Sequence, residues 1–128
     1  MSDARKERSR VFKTAWFAKA ARKAGIKDDE LCEAIREVMK GQGVDLGGGV
    51  FKKRLNRNMH RSIILAKTAG HWIYEYIFSK SKRDNIDADE LQDFRKLVRA
   101  YSALTDQQLS KLLESKDLVE ICDADEEI

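Results

Sequence analysis

Between positions 52 and 61 the sequence places Lys52, Lys53, Arg54, Arg57, His60 and Arg61, and after two apolar runs it returns to the same chemistry with Lys80, Lys82 and Arg83. An arginine guanidinium is a planar fork of donors that matches a phosphate, and it stays charged at any physiological pH. A lysine crowded by like charges gives up its proton more readily and can exchange protons near neutrality. Around these cations the chain has no Ser/His/Asp arrangement, no close set of His and Cys ligands, and no carboxylate cluster suited to a metal. Such an inventory fits a reaction that needs neither metal nor cofactor, the transesterification of RNA by its own 2′-hydroxyl. The substrate supplies the nucleophile; the protein orients it, accepts its proton, neutralises charge on phosphorus and protonates the leaving oxygen. Composition alone equally fits a solvated basic face or RNA binding without cleavage.

The two clusters bracket Val50–Ile86, where the hydropathy period is two. Lys52 and Arg54 fall on one face of the first run and Phe51 and Leu55 on the other, with Lys53 sharing the apolar face as expected near a sheet edge. Ser62–Ala66 is apolar on both sides, as in a central strand. Trp72, Tyr74, Tyr76 and Phe78 alternate along the next run and are expected on one face, opposite Ile73, Glu75 and Ile77. A short turn at Thr68–His71 separates the two runs and puts His71 in the turn. The pattern is a β-meander with positive charge at its strand ends.

Helices flank the meander. Val11–Lys13 is a candidate first strand, and Thr14 is placed to cap an alanine-rich helix, Ala15–Ala24, that Gly25 ends. Asp28 is placed as the next cap, before a stripe of Leu31, Ala34, Ile35 and Val38 that Gly41-Gln42-Gly43 stops. Gly47-Gly48-Gly49 lacks the lysine and hydroxyl residue of a phosphate-binding loop and is expected to be a flexible entry into the sheet. Asp87 with Glu90, and Thr105 with Gln108, stand at capping-box spacing before two further amphipathic helices, and Leu118–Cys122 suits a last short strand. Together these elements predict an α+β fold, with helices mainly on one face of an antiparallel sheet.

At 128 residues the chain suits one domain. We expect it over residues 10–122, preceded by a mobile basic arm, 1–9, and followed by an acidic, disordered tail, 123–128. The net charge of +3 hides an asymmetry, basic up to Arg83 and acidic from Glu114, that can draw polyanions to one face. Cys32 and Cys122 form no metal or redox motif, so a reduced, cytoplasmic setting is expected, with Cys32 a small packed side chain. No apolar run reaches the length of a membrane span, and no membrane partner is expected.

Several stretches resemble the RelE/HigB superfamily of bacterial toxins, in its HigB-like branch. Val11-Phe12-Lys13-Thr14-Ala15-Trp16-Phe17-Ala18 resembles the branch's opening strand and helix, and Leu31-Cys32-Glu33-Ala34-Ile35 its second helix. Asp45-Leu46-Gly47-Gly48-Gly49-Val50-Phe51-Lys52 resembles its approach to the sheet, and Phe78-Ser79-Lys80-Ser81-Lys82-Arg83-Asp84-Asn85-Ile86 its closing basic motif. The resemblance spans about Arg10 to Glu120. It implies a small RelE-like α+β fold and ribosome-dependent cleavage of mRNA in the A site. It also implies a cognate helix-turn-helix antitoxin through which alone the toxin meets operator DNA. By position it implies phosphate and transition-state roles for Arg61 and Arg83, and proton transfer or clamping for Lys52 or Arg54. Lys53, Arg57, Lys80 and Lys82 would contact RNA. The branch's Gly-Gly-Tyr-Arg is here Asn58-Met59-His60-Arg61, so His60 stands where the aromatic does and can stack or transfer a proton. A gyrase-poisoning toxin of the related ParE type and a non-catalytic RNA- or antitoxin-binding module are the alternatives.

Overall fold

The computed structural model describes residues 9–67 and 70–125 of the chain. Thr14 ends strand β1 (Arg10–Thr14) and caps helix α1 (Ala15–Ala24), its hydroxyl accepting from the Phe17 N–H at 3.0 Å. Gly25, at φ +75°, closes α1 in the left-handed conformation that favours glycine. Helix α2 (Asp28–Met39) starts one residue earlier than expected: Lys27 holds the cap position, without a side-chain bond, and Asp28, Asp29 and Glu30 form an acidic first turn. Negative charge at the positive end of the helix dipole does the work assigned to a cap.

The meander follows as β3 (Val50–Leu55), β4 (His60–Lys67) and β5 (His71–Ser79), preceded by a strand the sequence did not announce, β2 (Val44–Gly47). The glycines after Leu46 are an ordered tight turn rather than a flexible entry, with φ of 87°, 67° and 87° at Gly47, Gly48 and Gly49. Arg95 pins the turn, donating to the Leu46 carbonyl at 2.6 Å and to the Gly47 carbonyl at 3.2 Å. A Cβ on Gly48 would stand 2.7 Å from Arg95 Cγ, and one on Gly49 2.9 Å from the Ala66 carbonyl oxygen. Helices α3 (Ala88–Ser102) and α4 (Asp106–Glu114) open with the two expected capping boxes, and β6 (Leu118–Asp123) returns beside β1. The sheet order is β2-β3-β4-β5-β1-β6, antiparallel except where β1 runs parallel to β5. None of the described helices is long and apolar enough to cross a membrane.

Helices lie on both faces of this α+β fold, not mainly on one. Phe17, Leu31 and Ile35 from α1 and α2 pack on Val11, Ile64 and Tyr74, whereas Val98 and Leu109 from α3 and α4 pack on Phe12, Ile63 and Leu65. The two-sided apolar pattern of β4 is satisfied only by such a three-layer arrangement. The register slips between Ile63, opposite Tyr76, and Ile64, opposite Tyr74, which leaves Glu75 as the extra residue of a β-bulge. The slip divides the aromatic stripe: Trp72, Tyr74 and Ile77 join the α1–α2 side, and Ile73, Tyr76 and Phe78 the α3 side. His71 is not a turn residue but the first of β5, edge-on to Phe12 at 5.5 Å.

The bulge half-buries a carboxyl group. Glu75 accepts a hydrogen bond from the Tyr101 hydroxyl at 3.2 Å, but burial outweighs that contact and raises its pKa above the ordinary glutamate value. Because the folded state then holds the proton more tightly than the unfolded chain, stability falls as pH rises through the folded-state pKa. The penalty is complete above that pKa and absent below the ordinary glutamate range. Glu75→Gln keeps the acceptor for Tyr101 and removes the charge. It is expected to raise Tm at neutral pH and to match wild type in acid, as thermal melts across pH will show.

Two further expectations are corrected. Cys32 of α2 and Cys122 of β6 are not free thiols; they form a disulfide across a sequence separation of 90, their Cα atoms 6.4 Å apart. No spacing motif could announce a pair that only the docking of α2 beside β6 creates. The acidic end is also held as far as it is described. Asp123 belongs to β6, Ala124 is buried and donates to the Ser9 carbonyl, and Asp125 accepts from the Ser9 N–H at 2.8 Å. Residues 126–128 and the arm up to Arg8 lie outside the described residues.

Candidate functional site

The period-two pattern of β3 puts Lys52 and Arg54 on the same side of the sheet as Val50, the side that α3 covers. In the antiparallel pairing Arg54 lies directly opposite Arg61 of β4, and Arg61 lies directly opposite Phe78 of β5. Like charges facing each other across two strands destabilise a sheet unless an anion lies between them. Lys52, Arg54 and Arg61 line one concavity of about 240 Å³ with Val44 and Asp84. None of the three forms an ion pair among the described residues; Arg61 instead donates to the Asn58 and His60 carbonyls at 3.0 and 3.2 Å. Three cations against the single carboxylate residue Asp84 leave this hollow with an excess of positive charge, which suits an anion, and guanidiniums direct it towards phosphate.

The loop that presents Arg61 is strained. Asn56, Arg57 and Asn58 all take positive φ, of 56°, 54° and 71°, a run that side chains other than glycine seldom adopt. Its anchor is Glu30 in the first turn of α2, which accepts from the Asn56 N–H at 2.5 Å. The Asn56 side chain lies 3.2 Å from His60 Nδ1 and reaches the Ala24 carbonyl at 3.5 Å. The turn thus holds the Asn58 carbonyl at the Arg61 guanidinium.

Arg83 follows β5 and packs its guanidinium 5.4 Å from the Phe78 ring centre, beside the row. Its donors are engaged: Nη1 and Nη2 bind the two Glu90 carboxylate oxygens at 3.1 and 2.5 Å, and Nε binds the Asn85 carbonyl at 3.0 Å. Glu90 closes the α3 capping box at the same time, accepting from the Asp87 N–H at 2.8 Å. The Arg83 hydrogen bonds, with help from that N–H, hold the Glu90 carboxyl below its usual range.

The remaining sequence candidates disperse around this end of the sheet. Lys53 lies on the opposite face and is committed to α2, with Nζ 2.8 Å from Glu37 and donating to the Gln42 carbonyl at 2.9 Å. His60 also faces that side, in a second hollow with Lys82 and Arg83. Arg57 and Lys80 border a third hollow at the loop tip. Sequence reasoning missed Glu90 as the partner of Arg83, although its place in the capping box was legible. It also missed Trp16 and Lys23 of α1, which the fold brings close to the second hollow; their spacing to Ala20 was the available signal.

A family model described as the RelE toxin of the RelE/RelB toxin–antitoxin system matches residues 9–121. No curated protein and no solved structure matches the chain.

Proposed function

The chain belongs to the RelE family of toxins from toxin–antitoxin systems, and on that premise we propose that it is an endoribonuclease of the HigB-like branch, cutting mRNA in the ribosomal A site. A cognate helix-turn-helix antitoxin would neutralise it and carry it to operator DNA, and the cytoplasm, where translated mRNA is found, is its place of action. The observation that carries the reading is the facing pair Arg54 and Arg61, joined by Lys52 in one hollow where cations outnumber the single carboxylate residue, Asp84, and form no ion pair among the described residues.

In this reading the 2′-oxygen of one nucleotide attacks the adjoining phosphorus as the bond to the 5′-oxygen breaks. The products are a 2′,3′-cyclic phosphate and a 5′-hydroxyl. Arg61 and Arg83 neutralise the charge that gathers on the non-bridging oxygens. Lys52 is the better proton carrier, taking the 2′-hydroxyl proton and returning one to the leaving oxygen, because an arginine does not deprotonate. Arg54 then clamps the phosphate, while Arg57, Lys80 and Lys82 extend the cationic rim along the RNA. Lys53 is left to its structural contacts with α2.

Glu90 competes with RNA for Arg83. Glu90→Gln retains the carbonyl oxygen that caps α3 and lowers the hold on Arg83. It is expected to tighten RNA binding about two- to fivefold, the scale of a partly exposed ion pair, as a filter-binding titration at low salt will read.

Primer extension on a reporter mRNA after brief induction tests the function. Cuts within translated codons, absent in Arg61→Ala/Arg83→Ala and when translation is blocked, are expected. Intact mRNA with growth arrest would move the target to gyrase or elsewhere, and intact mRNA with normal growth would leave a binding module.

A further inference from the structure

β5 outruns its neighbour. β1 pairs with it only from Val11, opposite Trp72, to Lys13, opposite Tyr74, and the chain then turns into α1 at Ala15. Beside the end of β5, from Tyr76 to Ser79, the first turns of α1 stand in place of a strand. They carry Trp16, whose ring stacks on Tyr76 with centres 5.3 Å apart and planes at 25°. Tyr76 in turn meets Phe78 at 5.8 Å and Phe94 at 6.0 Å. The aromatic array therefore begins in the core on the α3 side and ends at a tryptophan that is 52% exposed. Met39, Val44 and Met59 are the other large apolar side chains exposed among the described residues, and none is aromatic.

Tyr76, on which this ring stacks, lines a hollow of about 470 Å³ together with Ala20, Lys23, His60, Lys82 and Arg83. Ala20 and Lys23 follow Trp16 by one and two helical turns, so one face of α1 carries a flat ring, then a small residue that leaves room, then a cation. Lys23 and Lys82 form no ion pair among the described residues. Arg83 borders this hollow and, through Phe78, adjoins the Arg54–Arg61 row.

We infer that Trp16, stacked on Tyr76, is a platform for an unpaired nucleobase of the RNA, with Lys23 and Lys82 on its phosphate, next to the phosphate held at Arg61. The inference rests on the RNA-cleavage reading and adds a base-binding subsite to it. Stacking on an aromatic ring is sequence-tolerant because every base has a π-face.

Anisotropy titrations at low salt test it, using the full chain and two labelled strands. One is a 2′-O-methyl RNA heptamer, which cannot be cut, and the other an abasic strand of equal length. Trp16→Ala is expected to weaken the heptamer about 5- to 100-fold, Trp16→Phe to retain most of the affinity, and the abasic strand to bind both variants like wild type. Equal binding of the heptamer by wild type and Trp16→Ala, equal loss for both strands, or failure of wild type to bind the heptamer would each overturn the platform. A heptamer lost in Arg61→Ala but not in Trp16→Ala removes the platform and leaves the cleavage reading standing. Codon cuts absent from primer extension, with Trp16-dependent binding intact, remove cleavage and leave the platform.

Discussion

Arg61→Ala is expected to lower mRNA cleavage by about 10²- to 10³-fold, the usual effect of removing one preorganised donor from a developing charge, while Tm changes little. The two readouts separate because of where the residue stands. Arg61 faces Arg54 across the strand pair, so truncating either relieves a like-charge contact that the free protein bears without a partner carboxylate. Against that relief, Arg61 gives up two hydrogen bonds to the Asn58 and His60 carbonyls, which are exposed or partly buried. Arg54 has no such bonds and is exposed. Arg54→Ala is therefore expected to raise stability by about 0.2–1 kcal/mol, the range of cross-strand pairs, and to weaken RNA binding. Denaturant melts beside a translation-coupled cleavage assay check both. Loss of activity with loss of fold would mean that these arginines build the sheet, and the functional assignment would fall.

The second large effect concerns stability. Reducing the Cys32–Cys122 bond, or replacing both residues with serine, is expected to cost about 3–5 kcal/mol, because a long loop is released in the unfolded chain. Closing a loop across a separation of 90 is what makes the value large. For a domain of this size the loss corresponds to roughly 10–20 °C in Tm. The measurement is a pair of melts with and without reductant: wild type should shift and Cys32→Ser/Cys122→Ser should not. Any compartment that keeps thiols reduced would hold the chain at the lower value. The bond also ties down the helix that serves the site, since α2 supplies Glu30 to the strained Asn56 turn and Glu37 to Lys53. Reduction should accordingly speed amide exchange at Asn56 and its neighbours.

What the sequence determined by itself was local. Thr14, Asp87 and Thr105 announce helix starts because a cap is written in residues three or four apart, and each forms as expected. The meander followed from period-two hydropathy, and the cationic chemistry was visible because Lys52, Arg54 and Arg61 sit on neighbouring strands joined by a short loop. Tertiary structure decided the rest. The bulge at Glu75 turns on a single unpaired residue, which no alternation of aromatics reveals, and it alone splits the stripe between the two faces. Gly48 and Gly49 are held in a tight turn by contacts from α3 and β4, elements far along the chain. The disulfide, the Lys53–Glu37 pair and the stacking of Trp16 on Tyr76 join residues on different elements, and Arg83 meets Glu90 only after the intervening loop turns back. Side-chain type and spacing specify what a segment can do with its near neighbours; the partner across the fold is set by packing and register.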